Sequence, residues 1–253
     1  MLFLVSVTRR ISQVKQPRGG YIKPKDFVVT DLSDDYTLNE NENINGSLVG
    51  TAVDYLTRFL NGTPKKEVFR VSLMGAFNVK EPFLADDLLF DIEGLDDTSI
   101  ESACKMVGFD VAYRAGVMGY KPVDLINPDK ETISNIRIMV NRGLNFLKLY
   151  GPIVKNGFTF EGGYTSTIDT GDGDFLTENT LWDFKVLKSA PTNKHSLQLL
   201  IYYLMGVHSN HSEFKKIENL GIYNPRLNKV YLLPINKISN EIINEVNTTV
   251  IGY

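Results

Sequence analysis

The chain has 253 residues, 43% of them hydrophobic and 23% charged, a composition typical of a folded globular protein with a sizeable core. The formal net charge of -3 excludes an overall basic signature of nucleic-acid binding, although a local basic patch is enough to contact phosphates. The single cysteine, Cys104, excludes internal disulfides and sites made of four thiolates, and it fits a reducing cytoplasm.

The N-terminal segment 1–7 is largely apolar, and Arg9 and Arg10 follow this segment rather than precede it. The stretch is too short to span a membrane, and a signal peptide carries its positive charge ahead of its apolar run. We therefore expect a cytoplasmic protein with no membrane partner.

The segment from Arg9 to Lys25 contains six basic residues and no acidic one, and Arg18 lies in its Gly-rich turn. Two interpretations stay open for this segment. It is either an arm that contacts the phosphates of a nucleic acid or a solvated stretch of surface.

The first half of the chain is predicted to be mainly helical. Three segments carry apolar residues at helical spacing: 47–61, 98–118 and 131–149. Thr98 or Ser99 can cap the second helix, because a hydroxyl accepts hydrogen bonds from the free N–H groups of a first turn. The acidic, Asn-rich segment 26–46 is expected to be a surface loop, and 65–97 is less regular.

The periodicity changes near residue 152, after which strand-like runs prevail. Strands are predicted at 153–168, 171–177, 180–187, 217–224 and 229–235, and helices at 193–207 and 237–247. Because the first three strands follow one another directly, we expect an α/β core that contains a three-stranded meander. One domain is predicted, with a basic segment and acidic loop (1–46), a mainly helical part (47–150) and a catalytic sheet core (151–253).

The segment 171–188 carries the clearest chemical signal of the chain. Asp174 comes nine positions before Asp183 on a neighbouring predicted strand, and Lys185 follows two positions later. Since side chains alternate along a strand, Asp183 and Lys185 should point the same way while Phe184 points into the protein. Two carboxylates and an amine at a sheet edge can hold a divalent cation and a polarised water, which suits phosphodiester hydrolysis.

The predicted helix 193–207 adds a second signal. Its apolar face is suited to packing on the sheet and consists of Leu197, Leu200, Ile201 and Leu204. Gln198 and Tyr202 are four residues apart and share a neighbouring face. Gln198 offers hydrogen bonds near a metal site, and Tyr202 can stack on a nucleotide or bond to it.

Taken together, Asp174, the Asp183-Phe184-Lys185 run and the Gln198-x-x-x-Tyr202 helix resemble the PD-(D/E)XK nuclease superfamily, and within it the RecB-type branch. The resemblance implies a restriction-endonuclease-like mixed β-sheet flanked by helices, with a helical N-terminal half. It also implies that Asp174, Asp183 and the main-chain carbonyl of Phe184 bind Mg²⁺ or Mn²⁺, and that Lys185 orients or activates the attacking water.

A looser match lies upstream. Residues 50–54 resemble a Gly-Thr-x-x-His helix of the same branch, with Asp54 in the place of the histidine, and a carboxylate also suits a hard cation. The alternative is a surface ion pair between Asp54 and Arg58. Arg114 lies in a second segment that resembles this branch and is predicted to meet a phosphate, with an i, i+4 ion pair as its alternative.

Three further residues near the predicted strands and helix have two open interpretations each. Glu161 either joins the metal site or lies apart from it, and Asp172 is either an outer acid of that site or a turn residue. His195 either contacts DNA or is simply exposed.

These features predict a Mg²⁺-dependent deoxyribonuclease. Its expected partner is nucleic acid, with DNA favoured over RNA, and cutting both strands of a duplex requires a homo-oligomer or another assembly. The resemblance associates such proteins with phage defence, mobile elements or DNA repair. The alternatives are an RNase, a non-catalytic nucleic-acid-binding or assembly module, and a chance pattern of ordinary strand and turn residues.

Overall fold

The computed structural model describes residues 5–253, so the first four residues of the apolar N-terminal segment lie outside the described part. The chain divides into two compact units. The sheet unit contains the chain up to Ser33 together with Lys148–Tyr253, and the helical unit contains Asp34–Leu147. The assignment of the whole chain to one nuclease-like domain stays a prediction.

Ten α-helices are found in residues 5–253, and none of them has the length and apolarity needed to cross a bilayer. They are α1 (Val7–Gln13), α2 (Gly46–Leu60), α3 (Lys65–Val68), α4 (Arg70–Asn78), α5 (Pro82–Asp91), α6 (Asp97–Val107), α7 (Asp110–Arg114), α8 (Lys130–Tyr150), α9 (Asn193–His208) and α10 (Asn240–Glu245). Short 3₁₀ turns cover Pro24–Asp26, Val117–Gly119, Val123–Leu125, Ser212–Lys216 and Ile235–Lys237, and a π-helical turn covers Val246–Ile251.

The helical unit confirms two predicted helices and corrects two other expectations. Helices α2 and α8 match the predictions closely, whereas 65–97 is not irregular and contains α3, α4 and α5. The helix predicted over 98–118 ends at Val107, and Gly108 separates it from α7. Its cap is Asp96, whose carboxylate accepts a hydrogen bond from the main-chain N–H of Ser99 at 3.0 Å.

Among its described residues, from position 5 onward, the sheet unit contains six strands in the order β1-β6-β5-β4-β3-β2. They are β1 (Val28–Asp31), β2 (Lys155–Phe158), β3 (Gly173–Leu176), β4 (Thr180–Phe184), β5 (Asn219–Asn224) and β6 (Lys229–Pro234). Of the strand pairs formed by these described residues, β4–β5 is parallel and the other four are antiparallel. An α/β class with a mixed sheet and the meander β2-β3-β4 are therefore confirmed.

Three expectations for the sheet unit are corrected. The segment 26–46 is not all loop, because β1 pairs with β6 at the edge of the sheet. The strand predicted over 153–168 is only β2, and the chain turns at Gly162, whose φ of +89° suits glycine. The last predicted helix, 237–247, is α10 followed by the π-helical turn.

Helix α9 packs against the sheet through the predicted apolar face. All four residues of that face are at most 4% exposed, and they join a core that includes Leu181 of β4 and Ile222 of β5. Full burial of one such leucine contributes roughly 1.5–3 kcal/mol to folding. The same packing holds the neighbouring face of α9 beside the ends of β3 and β4.

Candidate active site

The β3–β4 hairpin brings the two predicted carboxylates together. Phe175 pairs with Trp182 and Leu176 with Leu181, so continuing this register by one residue places Asp174 opposite Asp183. The carboxylate of Asp174 accepts a hydrogen bond from the main-chain N–H of Phe184 at 2.7 Å. The nine-residue spacing in the sequence is thus the spacing of a cross-strand pair at the open end of a hairpin.

Lys185 follows β4 directly and continues its pairing with β5, because its main-chain N–H donates to the carbonyl oxygen of Tyr223 at 2.9 Å. The Lys185 ammonium nitrogen lies 2.9 Å from Oδ1 of Asp183. The two side chains therefore lie on the same side of the strand, as predicted. Phe184 is buried and contacts the ring of Tyr223 edge-to-face, with the ring centroids 5.6 Å apart.

The carboxylate of Asp183 has an oxygen that the protein itself does not satisfy. The residue is 1% exposed, and its Oδ2 atom has no hydrogen-bond partner among residues 5–253. A buried anionic oxygen without a partner is costly, and a bound cation removes that cost. This atom, opposite a second carboxylate, fits a hard divalent metal ion.

The charge of Lys185 is fixed by the two acids beside it. Burial alone would lower the pKa of the Lys185 ammonium, but the carboxylates of Asp183 and Asp174 raise that pKa above its ordinary value. About a quarter of the side chain, 25%, is exposed. Lys185 is therefore a protonated, partly accessible cation at neutral pH.

Helix α9 brings Gln198 and Tyr202 to the same place. Both are buried, and Nε2 of Gln198 donates a hydrogen bond to the hydroxyl of Tyr202 at 2.8 Å. Burial raises the pKa of Tyr202; the positive charge of Lys185 opposes the rise, and the negative charge of Asp183 adds to it. The ring centroid of Tyr202 lies 5.2 Å from that of Phe160, and stacking of Tyr202 on a nucleotide stays a prediction.

His195 is half-buried on α9, so the interpretation that it is simply exposed is wrong, and its contact with DNA stays a prediction. Burial and the positive charge of Lys185 both lower the pKa of its imidazole. The signal was in the sequence, since His195, Gln198 and Tyr202 follow the i, i+3, i+7 spacing of a single helix face.

Three further residues of the sheet unit were named as possible site residues: Glu161 and Asp172 for the metal and Arg18 for a phosphate. All three are exposed. The Glu161 carboxylate accepts hydrogen bonds from the hydroxyl of Thr159, and Asp172 lies in the irregular segment directly before β3. The segment with Arg18 runs along α9, since the hydroxyl of Ser196 donates to the carbonyl oxygen of Ile22 at 2.7 Å.

The predicted basic arm is partly structural. The guanidinium of Arg10 donates to the carbonyl oxygens of Val250 and Thr249 at 2.8 and 2.7 Å, so it caps the C-terminal turn. A solvated or phosphate-binding role for the segment therefore rests on its other basic residues, Arg18 among them.

Asp54 and Arg114 belong to the helical unit. Asp54 pairs with Arg58 at 2.9 Å, and the guanidinium of Arg114 lies 3.8 Å from the carboxylate of Asp110. Both i, i+4 ion pairs named as alternatives are thus present. The metal-binding role of Asp54 and the phosphate-binding role of Arg114 stay predictions.

Within residues 5–253, no group of three or more His, Cys, Asp and Glu side chains is arranged to hold a metal ion. The candidate centre accordingly rests on two carboxylates, Asp174 and Asp183, and on the main chain at Phe184. No protein-family model matches the chain, and neither curated proteins nor solved structures give a match.

Proposed function

We propose that this protein is a metal-dependent nuclease that hydrolyses phosphodiester bonds of DNA on a restriction-endonuclease-like sheet. One observation carries the proposal. The buried Asp183 gives one carboxylate oxygen to Lys185 and leaves the other without a partner among residues 5–253, across the hairpin from Asp174. A carboxylate pair with an ammonium beside it is the equipment that this reaction needs.

Asp174 and Asp183 would hold Mg²⁺ or Mn²⁺, together with the carbonyl oxygen of Phe184. These are hard oxygen ligands, which both cations prefer. When bound, the metal would polarise the scissile phosphate and lower the pKa of a coordinated water. Asp54 is kept as a further ligand to be tested.

Lys185 would act through its charge. Because its neighbours hold the pKa of the ammonium above the ordinary value, the group is protonated at neutral pH and donates hydrogen bonds. It is thereby suited to orient the attacking water and to stabilise negative charge that develops on the phosphate. It is not suited to remove a proton from that water.

Gln198 and Tyr202 would support the site from α9. Their hydrogen bond and their burial fix the Tyr202 hydroxyl, whose pKa responds to the charges of Lys185, Asp183 and Asp174. Groups held in this way need little rearrangement when charge develops during the reaction. Tyr202 is therefore proposed as a fixed polar neighbour of the reacting groups.

The resemblance favours DNA over RNA as substrate and a role in phage defence or DNA repair, in a cytoplasmic protein. Arg18 and Arg114 are the proposed phosphate contacts outside the catalytic cluster. Phosphate contacts of this kind position a nucleic acid without reading its sequence.

The test is incubation of the purified chain with supercoiled, linear and single-stranded DNA and with RNA, in Mg²⁺, Mn²⁺ or EDTA. We expect metal-dependent cleavage of DNA that Asp174→Asn and Asp183→Asn each abolish and that Lys185→Gln slows about 100-fold or more. Glu178→Gln is the matched control, because Glu178 is an exposed carboxylate on the turn of the same hairpin. Full activity of Asp183→Asn would refute the proposal, and so would metal-independent binding of nucleic acid without any cleavage.

A further inference from the structure

His195 occupies a defined position on the face of α9 that meets the candidate active site. It precedes Gln198 by three residues and Tyr202 by seven, so the three side chains form one stripe along the helix. The other two members of the stripe are buried, whereas His195 is half-buried at the N-terminal end of the stripe. A group at that end can meet both the cluster and a bound molecule.

The tautomer of His195 follows from its hydrogen bonds. The main-chain N–H of Thr192 donates to Nδ1 of the imidazole at 3.0 Å. Thr192 is the N-cap of α9 and His195 is the third residue of the helix, so this bond is one half of a capping box. Nδ1 is thus an acceptor, and the proton of the neutral ring is on Nε2. Among residues 5–253, no group accepts a hydrogen bond from Nε2.

The surroundings keep the ring neutral. Burial and the charge of the Lys185 ammonium both lower the pKa of the imidazole. The cap fixes the orientation of the ring, so the Nε2–H group is an immobilised neutral donor on the face of α9 that carries Gln198 and Tyr202. The oxygens of a phosphodiester accept hydrogen bonds both from a neutral donor of this kind and from a cationic one such as the Lys185 ammonium.

We propose that His195 is a substrate-binding residue whose Nε2–H donates a hydrogen bond to a backbone phosphate of the nucleic acid that Lys185 contacts. This inference rests on the proposed nuclease function and extends it to a residue outside the superfamily pattern. The occupied Nδ1 excludes a role as general base through that atom. His195 therefore holds the strand, while Lys185 and the acids act at the scissile phosphate.

Two neutral substitutions separate the two hydrogen bonds of the ring. In His195→Gln the side-chain amide can accept the Thr192 N–H and still present an N–H near the position of Nε2. In His195→Asn the amide oxygen replaces Nδ1, but the side chain is too short to reach the phosphate. Both variants keep the cap, so their melting temperatures should agree with that of the wild type.

The measurement is fluorescence anisotropy with a labelled single-stranded and double-stranded oligonucleotide in Ca²⁺, followed by kcat and KM for cleavage in Mg²⁺. We expect His195→Gln to bind within about threefold of the wild type and His195→Asn to bind at least about tenfold more weakly. The weaker binding should appear in KM. Equal binding by the wild type and His195→Asn would overturn the inference and leave the nuclease proposal standing.

A scan of single methylphosphonate substitutions along the oligonucleotide identifies the contact itself. One position should weaken binding by the wild type and by His195→Gln without further effect on His195→Asn. If each methylphosphonate substitution weakens binding equally in the three proteins, the direct contact is refuted. This conclusion holds even if His195→Asn is poorly folded. A wild-type chain that neither binds nor cleaves nucleic acid would instead refute the proposed function.

Discussion

Lys185 and Asp183 form an ion pair that involves one of the two carboxylate oxygens of the aspartate. The ammonium lies 2.9 Å from Oδ1, and Oδ2 of the same carboxylate has no hydrogen-bond partner among residues 5–253. The second acid, Asp174, lies across the hairpin and adds negative charge that one ammonium does not balance. The cluster is therefore an anionic centre that already holds one cation and is arranged for another.

Asp183→Asn should abolish metal binding while preserving the shape of the side chain. A ligand that binds only the folded state stabilises it by about 2.7 kcal/mol at a hundredfold excess over Kd. We therefore expect Mg²⁺ to raise the melting temperature of the wild type by several degrees and to leave that of Asp183→Asn unchanged. Thermal unfolding with and without Mg²⁺ makes this measurement. Mg²⁺ should raise the melting temperature of Glu178→Gln as much as that of the wild type. If Mg²⁺ also raised the melting temperature of Asp183→Asn by the same amount, the assignment of Asp183 as a metal ligand would be contradicted.

Lys185→Gln should separate catalysis from metal binding. Removing the ammonium frees Oδ1 of Asp183 and removes a charge that repels the metal, so calorimetry should show Mg²⁺ bound at least as tightly as in the wild type. The rate of cleavage should nevertheless fall about 100-fold or more, because the positioned donor is lost. Loss of Mg²⁺ binding in this variant would indicate instead that Lys185 holds the site together.

Tyr202→Phe should destabilise the sheet unit. The substitution removes the hydroxyl that accepts from Nε2 of Gln198 and leaves a buried amide without that acceptor. A loss of about 1–3 kcal/mol in the free energy of unfolding is expected from urea titration. Tyr203→Phe, a change at the next and half-buried position, is the matched control and should change stability little. Equal stabilities for the two variants would show that the Gln198–Tyr202 bond does not stabilise the fold.

Asp34→Asn should destabilise the helical unit in a pH-dependent manner. The guanidinium of Arg142 donates to both oxygens of Asp34, at 2.7 and 2.6 Å, and this hydrogen bonding lowers the pKa of the carboxyl. Because the pKa of Asp34 is lower in the folded state than in the unfolded state, the carboxylate stabilises the fold at pH values above the unfolded pKa of about 3.9. This stabilisation is lost as the pH falls through the folded pKa.

At pH 7 the expected loss for Asp34→Asn is roughly 1–3 kcal/mol, because Asp34 is partly exposed and its partner Arg142 is buried. The difference from the wild type should shrink below about pH 4. Asp35→Asn, at the exposed neighbouring position, is the control and should show neither effect. Unfolding curves recorded from pH 3 to pH 7 would contradict the argument if the difference were constant.

The part of the fold that positions the site followed from the sequence because its signals were local. Alternation and a short turn define the hairpin of Asp174 and Asp183, and one apolar stripe defines α9. Strand β1 was missed because all its side chains are exposed, so no buried alternation marks it. Helices α4 and α5 were missed because Phe77, Phe83 and Phe90 are exposed, and the apolar residues of that region trace no single buried face.

The chemistry of the site was only partly accessible from the pattern of residues. Spacing predicted that Asp183 and Lys185 share a side, but it did not reveal that one oxygen of Asp183 lacks a partner among residues 5–253. Nor did it reveal the cap that orients His195. Both depend on the register of strands and on the first turn of a helix, which tertiary packing sets.

The hydrogen bond from the Phe184 N–H to Asp174 has a practical consequence. The amide proton of Phe184 reports directly on the carboxylate of Asp174. An ion that binds this carboxylate changes the hydrogen bond and therefore the chemical shift of that proton. The Phe184 amide resonance is thus a native sensor for titrating metal ions, nucleotides or inhibitors. It needs no label beyond ¹⁵N and no assumption about which reaction the protein performs.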